Sequence, residues 1–213
     1  MSENLGGKCE SWTRRGLLAS ALAGMAGWGL GVRPALAGKF NKKLNIGDRP
    51  EPWAKLPATT GDVVSLDDFK NQKLVVVVFT CNNCPVASAY EDRLIKLAEE
   101  YGPKSVAFVA INVNEGEDLA AMKQRAEEKK FNFPYVYDES QGSAKAYGAS
   151  CTPHCFVLDA NRAVVYMGAI DDNLKAAAVK SSYLKSALDQ LLAGQAPTEA
   201  ETRQIGCAIH WRG

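Results

Sequence analysis

The chain has 213 residues, 46% of them hydrophobic and 23% charged, the balance of a globular protein able to bury a core. Lys and Arg together number 25 against 24 Asp and Glu, so no strong field is present to gather nucleic acid or another polyanion. Six cysteines, at 9, 81, 84, 151, 155 and 207, are too few for a disulfide scaffold at this length, yet four of them fall in two tight pairs.

Thr13-Arg14-Arg15-Gly16-Leu17-Leu18 sets a twin-arginine pair before a run from Gly16 to Val32 that is rich in Ala and Gly and free of charge. Ala35-Leu36-Ala37 then supplies an A-x-A cleavage pattern. Residues 1–37 read as a twin-arginine export signal cut after Ala37, which places the rest in a periplasmic or other exported, oxidising compartment. An uncleaved run would instead anchor the same domain to a membrane. Cys9 falls in the discarded segment.

Residues 38–53, with several Pro and Gly, read as an N-terminal arm. A domain over 54–193 and a C-terminal tail over 194–213 follow. Leu56 to Leu66 predicts a β-hairpin turning near Gly61, and Leu66-Asp67-Asp68-Phe69 a short helical turn. The β-branched run Leu74-Val75-Val76-Val77-Val78-Phe79 predicts a central strand covered on both faces. Helical spacing of Val86, Tyr90, Leu94, Leu97 and Tyr101 predicts a helix over Pro85 to Tyr101, stopped by Gly102-Pro103. Ser105 to Val113 reads as a second buried strand and Asp118 to Lys130 as an amphipathic helix, with Leu119, Met122 and Ala126 inward. Phe133 to Tyr137 is a short strand segment and Ser143 to Tyr147 a short helix. His154 to Leu158 and Ala163 to Met167 form a hairpin about residues 159–162, and Tyr183 to Leu192 a final helix. The order β-α-β-α-β-β-α after a hairpin implies an α/β fold, a mixed sheet with helices on both faces.

Cys81-Asn82-Asn83-Cys84-Pro85 follows the buried strand and opens a helix. Unpaired amides and the positive end of the helix dipole stabilise a thiolate there, which suits attack on a disulfide near neutral pH. Pro85 is at home in the first turn, where its missing N–H costs nothing. Cys81, nearer the strand end, is expected to be the more exposed and nucleophilic sulfur, and Cys84, one turn inside, the resolving one.

The stretch from Ala58 to about Leu192 resembles the peroxiredoxin-like branch of the thioredoxin superfamily, the redoxin or AhpC/TSA-like group. The residues that carry the likeness are Phe79-Thr80-Cys81-Asn82-Asn83-Cys84-Pro85, Ala110-Ile111-Asn112, Phe133-Pro134-Tyr135, Ala146-Tyr147-Gly148 with Cys151-Thr152-Pro153, Tyr166 to Asp172, and the closing Ile205-Gly206-Cys207. The resemblance implies a thioredoxin-like fold and a redox role. It also implies a cis-proline at Pro153 facing the dithiol, with Thr152 beside it positioning the backbone of a substrate. On this reading Cys81, Cys84 and Pro153 are catalytic in a thiol–disulfide oxidoreductase. Its substrate is a protein or small-thiol disulfide, and its redox-active disulfide is the sole prosthetic feature, with no metal. Antioxidant activity goes with the family. Three residues before Cys84 stands Cys81, and three before Cys81 stands Val78, where peroxiredoxins carry Thr or Ser, so a thiol peroxidase ranks as an alternative.

A second alternative is a metal-binding module. The motif is similar to that of Sco-type copper chaperones, which would make Cys81, Cys84 and His154 copper ligands; two soft thiolates and an imidazole suit Cu(I). Cys151 is a candidate second thiol, whereas Cys155 reads as a small buried residue. Cys207 is expected to pack under the tail near Trp211, or to bridge to a partner. Asp171-Asp172-Asn173 reads as a solvated turn rather than a cation site.

Overall fold

A computed structural model describes residues 38–213, so the export-signal reading lies outside the described residues. Strands β1 (Leu56–Pro57) and β2 (Val63–Val64) form the expected hairpin, with Gly61 at positive φ in its turn. A 3₁₀ turn over Leu66–Phe69 leads into β3 (Leu74–Thr80), all seven residues of which are buried. Helix α1 (Pro85–Tyr101), β4 (Val106–Asn112), α2 (Leu119–Lys129), β5 (Tyr135–Tyr137) and α3 (Gly142–Tyr147) follow. The chain closes with β6 (Cys151–Thr152), β7 (His154–Leu158), β8 (Val164–Gly168), α4 (Tyr183–Leu192) and β9 (Cys207–Ala208).

The main sheet has the order β5-β4-β3-β7-β8. β3 pairs parallel with β4, and β4 parallel with β5, because each crossover carries a helix. β7 returns antiparallel to β3, and β8 antiparallel to β7. The segment around Tyr135 is therefore a third parallel strand at the sheet edge, absent from the strand order expected from sequence. Its three residues carry too little pattern to show pairing.

Alternation along β3 builds two cores. Val76 and Val78 face α1 and α4, packing with Tyr90, Leu94, Tyr166, Leu184 and Leu188. Val75, Val77 and Phe79 face α3 and the N-terminal arm, against Trp53, Tyr147 and Phe156. On the first face, α2 covers Ala110 and Tyr135 with Met122. Helices thus lie on both faces of a mixed sheet, as the element pattern implies. Among the described residues no helix is long and apolar enough to cross a membrane.

The tail is not a loose appendage. β9 pairs antiparallel with β6, in the register Cys151↔Ala208 and Thr152↔Cys207, and Ile209 is buried in the core on the arm's side.

Candidate active site

Parallel strands β3 and β4 end side by side, Thr80 opposite Asn112, and the loops beyond them meet at this edge. The first loop carries the dithiol. Cys84 is the N-cap of α1 in extended conformation, with Pro85 next and the Ala87 N–H donating to its sulfur at 3.3 Å. The second loop carries Glu117, a residue the sequence reading passed over. Its carboxylate accepts the Asn82 N–H at 2.8 Å and the Asn83 N–H at 2.9 Å, and the Asn112 side-chain amide at 2.6 Å. Tyr135 completes the bracket by donating to Asn82 Oδ1 at 2.9 Å. The two asparagines between the cysteines are thus fastened to α2's approach loop and the edge strand. The available signal was an acid just past the end of a parallel strand, where α/β sheets collect their functional groups.

Across from the dithiol stands Thr152, preceding a cis peptide bond to Pro153. Its hydroxyl lies 3.1 Å from Cys81 Sγ, and its carbonyl oxygen 3.2 Å from Cys84 Sγ. Cys81, Cys84, Thr152 and Pro153 are therefore brought together.

The expectation that Cys81 is the more exposed sulfur is not met. Cys81 is 2% exposed and Cys84 3%, because Thr152 and the tail cover both. Burial pushes the Cys81 thiol up to about 12; the Thr152 hydroxyl offsets part of this, and the negative charges of Glu117 and Cys84 add to it. Burial also pushes Cys84 up, but its contact with the Cys207 sulfur and the N–H groups of Ala87 and Cys207 outweigh that, and its pKa falls below the ordinary thiol value. Cys207 is raised in turn, chiefly by its contact with Cys84. Of the dithiol sulfurs, Cys84 is the one favoured as thiolate.

Cys207 is the second departure. Expected under the tail near Trp211, it lies with its sulfur 2.6 Å from Cys84 Sγ and is half-buried, more open than either dithiol sulfur. The two lie 123 positions apart, so spacing could not reveal this; the trace in the sequence was the closing Ile205-Gly206-Cys207 among the residues that carry the family likeness. A Cβ on Gly206 would overlap the Thr152 carbonyl and stand 3.1 Å from Cys151 Sγ. Cys151 is itself buried beside this group, its sulfur 3.7 Å from the Pro153 carbonyl, and burial raises its pKa to about 11. Cys155 packs in the α1–α4 core, in agreement with a small buried residue.

His154 does not join the sulfurs. Its ring lies 4.4 Å from that of Phe156, its Nδ1 is buried without a partner, and desolvation lowers its pKa to about 3. Among the described residues no group of three or more His, Cys, Asp or Glu side chains is arranged to hold a metal ion, so the set Cys81, Cys84 and His154 is not assembled as copper ligands. Asp171, read as part of a solvated turn, is instead buried, paired with Arg93 and accepting the Tyr90 hydroxyl at 3.0 Å. Charge neutralisation by α1 is what permits its burial.

Residues 45–185 match the Redoxin family. The fold superposes with a TM-score of 0.75 on an uncharacterized conserved protein from Geobacillus kaustophilus, 38% identical over 81% of this chain and 95% of that one. A hypothetical protein from Sinorhizobium meliloti is similar at the same TM-score, 32% identical over 81% and 98% of the two chains. A putative thiol:disulfide interchange protein DsbE from Chlorobium tepidum shares the fold, with TM-score 0.57, 22% identity, and 71% and 97% of the chains covered. No curated protein matches the sequence. With a dithiol capping the helix after the first central strand, a cis-proline opposite it, and a family match over most of the sheet, the chain belongs to the redoxin family of the thioredoxin superfamily.

Proposed function

We propose that the chain is an exported thiol–disulfide oxidoreductase whose redox couple is Cys81 and Cys84, with Thr152 and Pro153 positioning the substrate. The observation that carries the reading is the placement of both sulfurs within 3.1–3.2 Å of Thr152, on the N-terminus of α1. The reduced dithiol gives two electrons and two protons to a disulfide R–S–S–R′, leaving a Cys81–Cys84 disulfide and the thiols RSH and R′SH. The thiolate of the dithiol resides on Cys84, stabilised by the Ala87 N–H and the helix dipole, and Cys81 supplies the second sulfur. The substrate is a protein or small-thiol disulfide, and the redox-active disulfide is the only prosthetic feature required. Export rests on the twin-arginine and A-x-A pattern before Gly38.

The test is the redox equilibrium of the purified chain against glutathione, wild type beside Cys81→Ser. A reversible two-electron couple, lost in the variant, is the expected result. No equilibrium, with stoichiometric copper bound by the reduced chain instead, would replace the reading by a metal carrier. A thiol peroxidase is the second reading, favoured by the single observation that Cys84 is a helix N-cap thiol with a lowered pKa. Consumption of hydrogen peroxide by the reduced chain, abolished in Cys84→Ser, would establish it.

A further inference from the structure

The dithiol of the proposed oxidoreductase is closed off, since neither cysteine is more than 3% exposed. A disulfide substrate needs a sulfur it can reach. Cys207 is half-buried, stands against Cys84, and belongs to the same hydrogen-bonded ladder as Thr152. Nothing in a structural tail requires a thiol there. The neighbouring Ile209 supplies the core anchor, and Gly206 supplies the close approach to Thr152.

We propose that Cys207 is a third redox thiol, the one that exchanges with external disulfides and passes the oxidation inward to Cys84 and then Cys81. This rests on the oxidoreductase reading and refines it. In the first step the Cys207 proton moves to Cys84, and the Cys207 sulfur attacks R–S–S–R′. A Cys207–S–S–R bond forms, the substrate bond breaks, and R′S⁻ leaves to take a proton from solvent. Cys84 next attacks the Cys207 sulfur, forming a Cys84–Cys207 disulfide and releasing RS⁻ with the proton Cys84 held. Cys81 then attacks Cys84, the Cys81–Cys84 disulfide closes, and Cys207 leaves as thiolate and takes up the Cys81 proton; the proton R′S⁻ drew from solvent matches the one Cys84 had given to solvent on becoming the resting thiolate. The two electrons lost by the Cys81–Cys84 couple end on the two substrate sulfurs, and Cys207 is regenerated. Reversal of the same steps would oxidise an external dithiol. The selectivity implied is for disulfides that can reach a half-open sulfur on the tail, either small-molecule ones or those on projecting loops of a protein.

Tryptic chemistry makes the steps separable. Cys81 and Cys84 fall on the peptide 74–93, Cys151 and Cys155 on 146–162, and Cys207 on 204–212. The reduced full-length chain, in a Cys9→Ser background, is mixed with oxidised glutathione, quenched in acid at intervals, alkylated and mapped by mass. With Cys81→Ser added, a link between 74–93 and 204–212 should accumulate, preceded by glutathione on 204–212. With Cys207→Ser instead, the Cys81–Cys84 disulfide should still form, but at a rate lower by at least about tenfold, because the open sulfur is gone. Glutathione appearing only on 74–93, with no link to 204–212 and an unchanged rate in Cys207→Ser, would overturn the relay and leave the oxidoreductase reading standing. Absence of a Cys81–Cys84 disulfide in the chain with all five remaining cysteines would remove that reading, and the relay with it. The Cys81→Ser measurement leaves Cys207 and its packing intact, so it decides the question even if Cys207→Ser loosens the tail.

Discussion

His154 shows how a single buried side chain writes a pH dependence into stability. It lies 1% exposed between Phe79 on β3 and Phe156, with Nδ1 unpaired, and burial alone lowers its pKa from 6.5 to about 3. The unfolded chain binds a proton at this residue below pH 6.5, whereas the folded chain stays neutral until about 3. Stability is therefore lost as pH falls through that window, by up to ~1.4 kcal/mol per pH unit. Replacing His154 by Phe, which suits the aromatic surroundings, should flatten the acid limb by about that slope. Urea unfolding of both chains at a series of pH values between 6.5 and 4 measures the difference. Parallel slopes would mean that His154 is hydrated when folded.

At the scale of elements, the dithiol loop is positioned by a neighbour that follows β4 rather than by its own helix. Glu117 ties the Asn82 and Asn83 amides to Asn112 at the strand end, and its negative charge helps hold Cys81 as a thiol. Glu117→Gln keeps the shape and one acceptor oxygen but removes the charge. Charge-assisted hydrogen bonds contribute about 1.5–3 kcal/mol, and a loss within that range is expected in denaturant unfolding. In a Cys84→Ser background the Cys81 pKa should also fall below about 12, read by thiolate absorbance against pH, since one of the charges that raises it is gone. An unchanged titration would mean that burial alone sets the Cys81 thiol.

Over the whole molecule, the two ends of the described chain are fastened together and to the site. The Glu201 carboxylate accepts the N–H groups of Lys39, Phe40 and Asn41 at 2.6–2.7 Å, while Asn41 donates to the Tyr147 carbonyl at 2.9 Å. The arm then supplies Leu44 and Trp53 to the core, and the tail supplies Ile209. The tail's final docking depends on Gly206, whose missing side chain lets β9 lie against Thr152. Gly206→Ala should push β9 outward and cost about 1–3 kcal/mol, as overpacking does. It should also raise the Cys84 pKa, because the contact with Cys207 is weakened. Thermal unfolding and thiolate titration of this one variant check both effects.

The sequence by itself determined the sheet-forming runs, the helices and the hairpins, because a β-branched run such as Leu74 to Phe79 or a helical repeat such as Tyr90, Leu94, Leu97 and Tyr101 declares its own periodicity within one element. It also marked out the dithiol, since Cys81-Asn82-Asn83-Cys84-Pro85 combines a strand end, a cap and a helix start within a few residues, while the proline opposite it followed from the family resemblance. Only the tertiary structure shows that both sulfurs are covered, that Glu117 fastens the loop between them and that Cys207 stands against Cys84. Those outcomes depend on burial and on contacts between residues 34 to 123 positions apart, which leave no local period and no spacing to read.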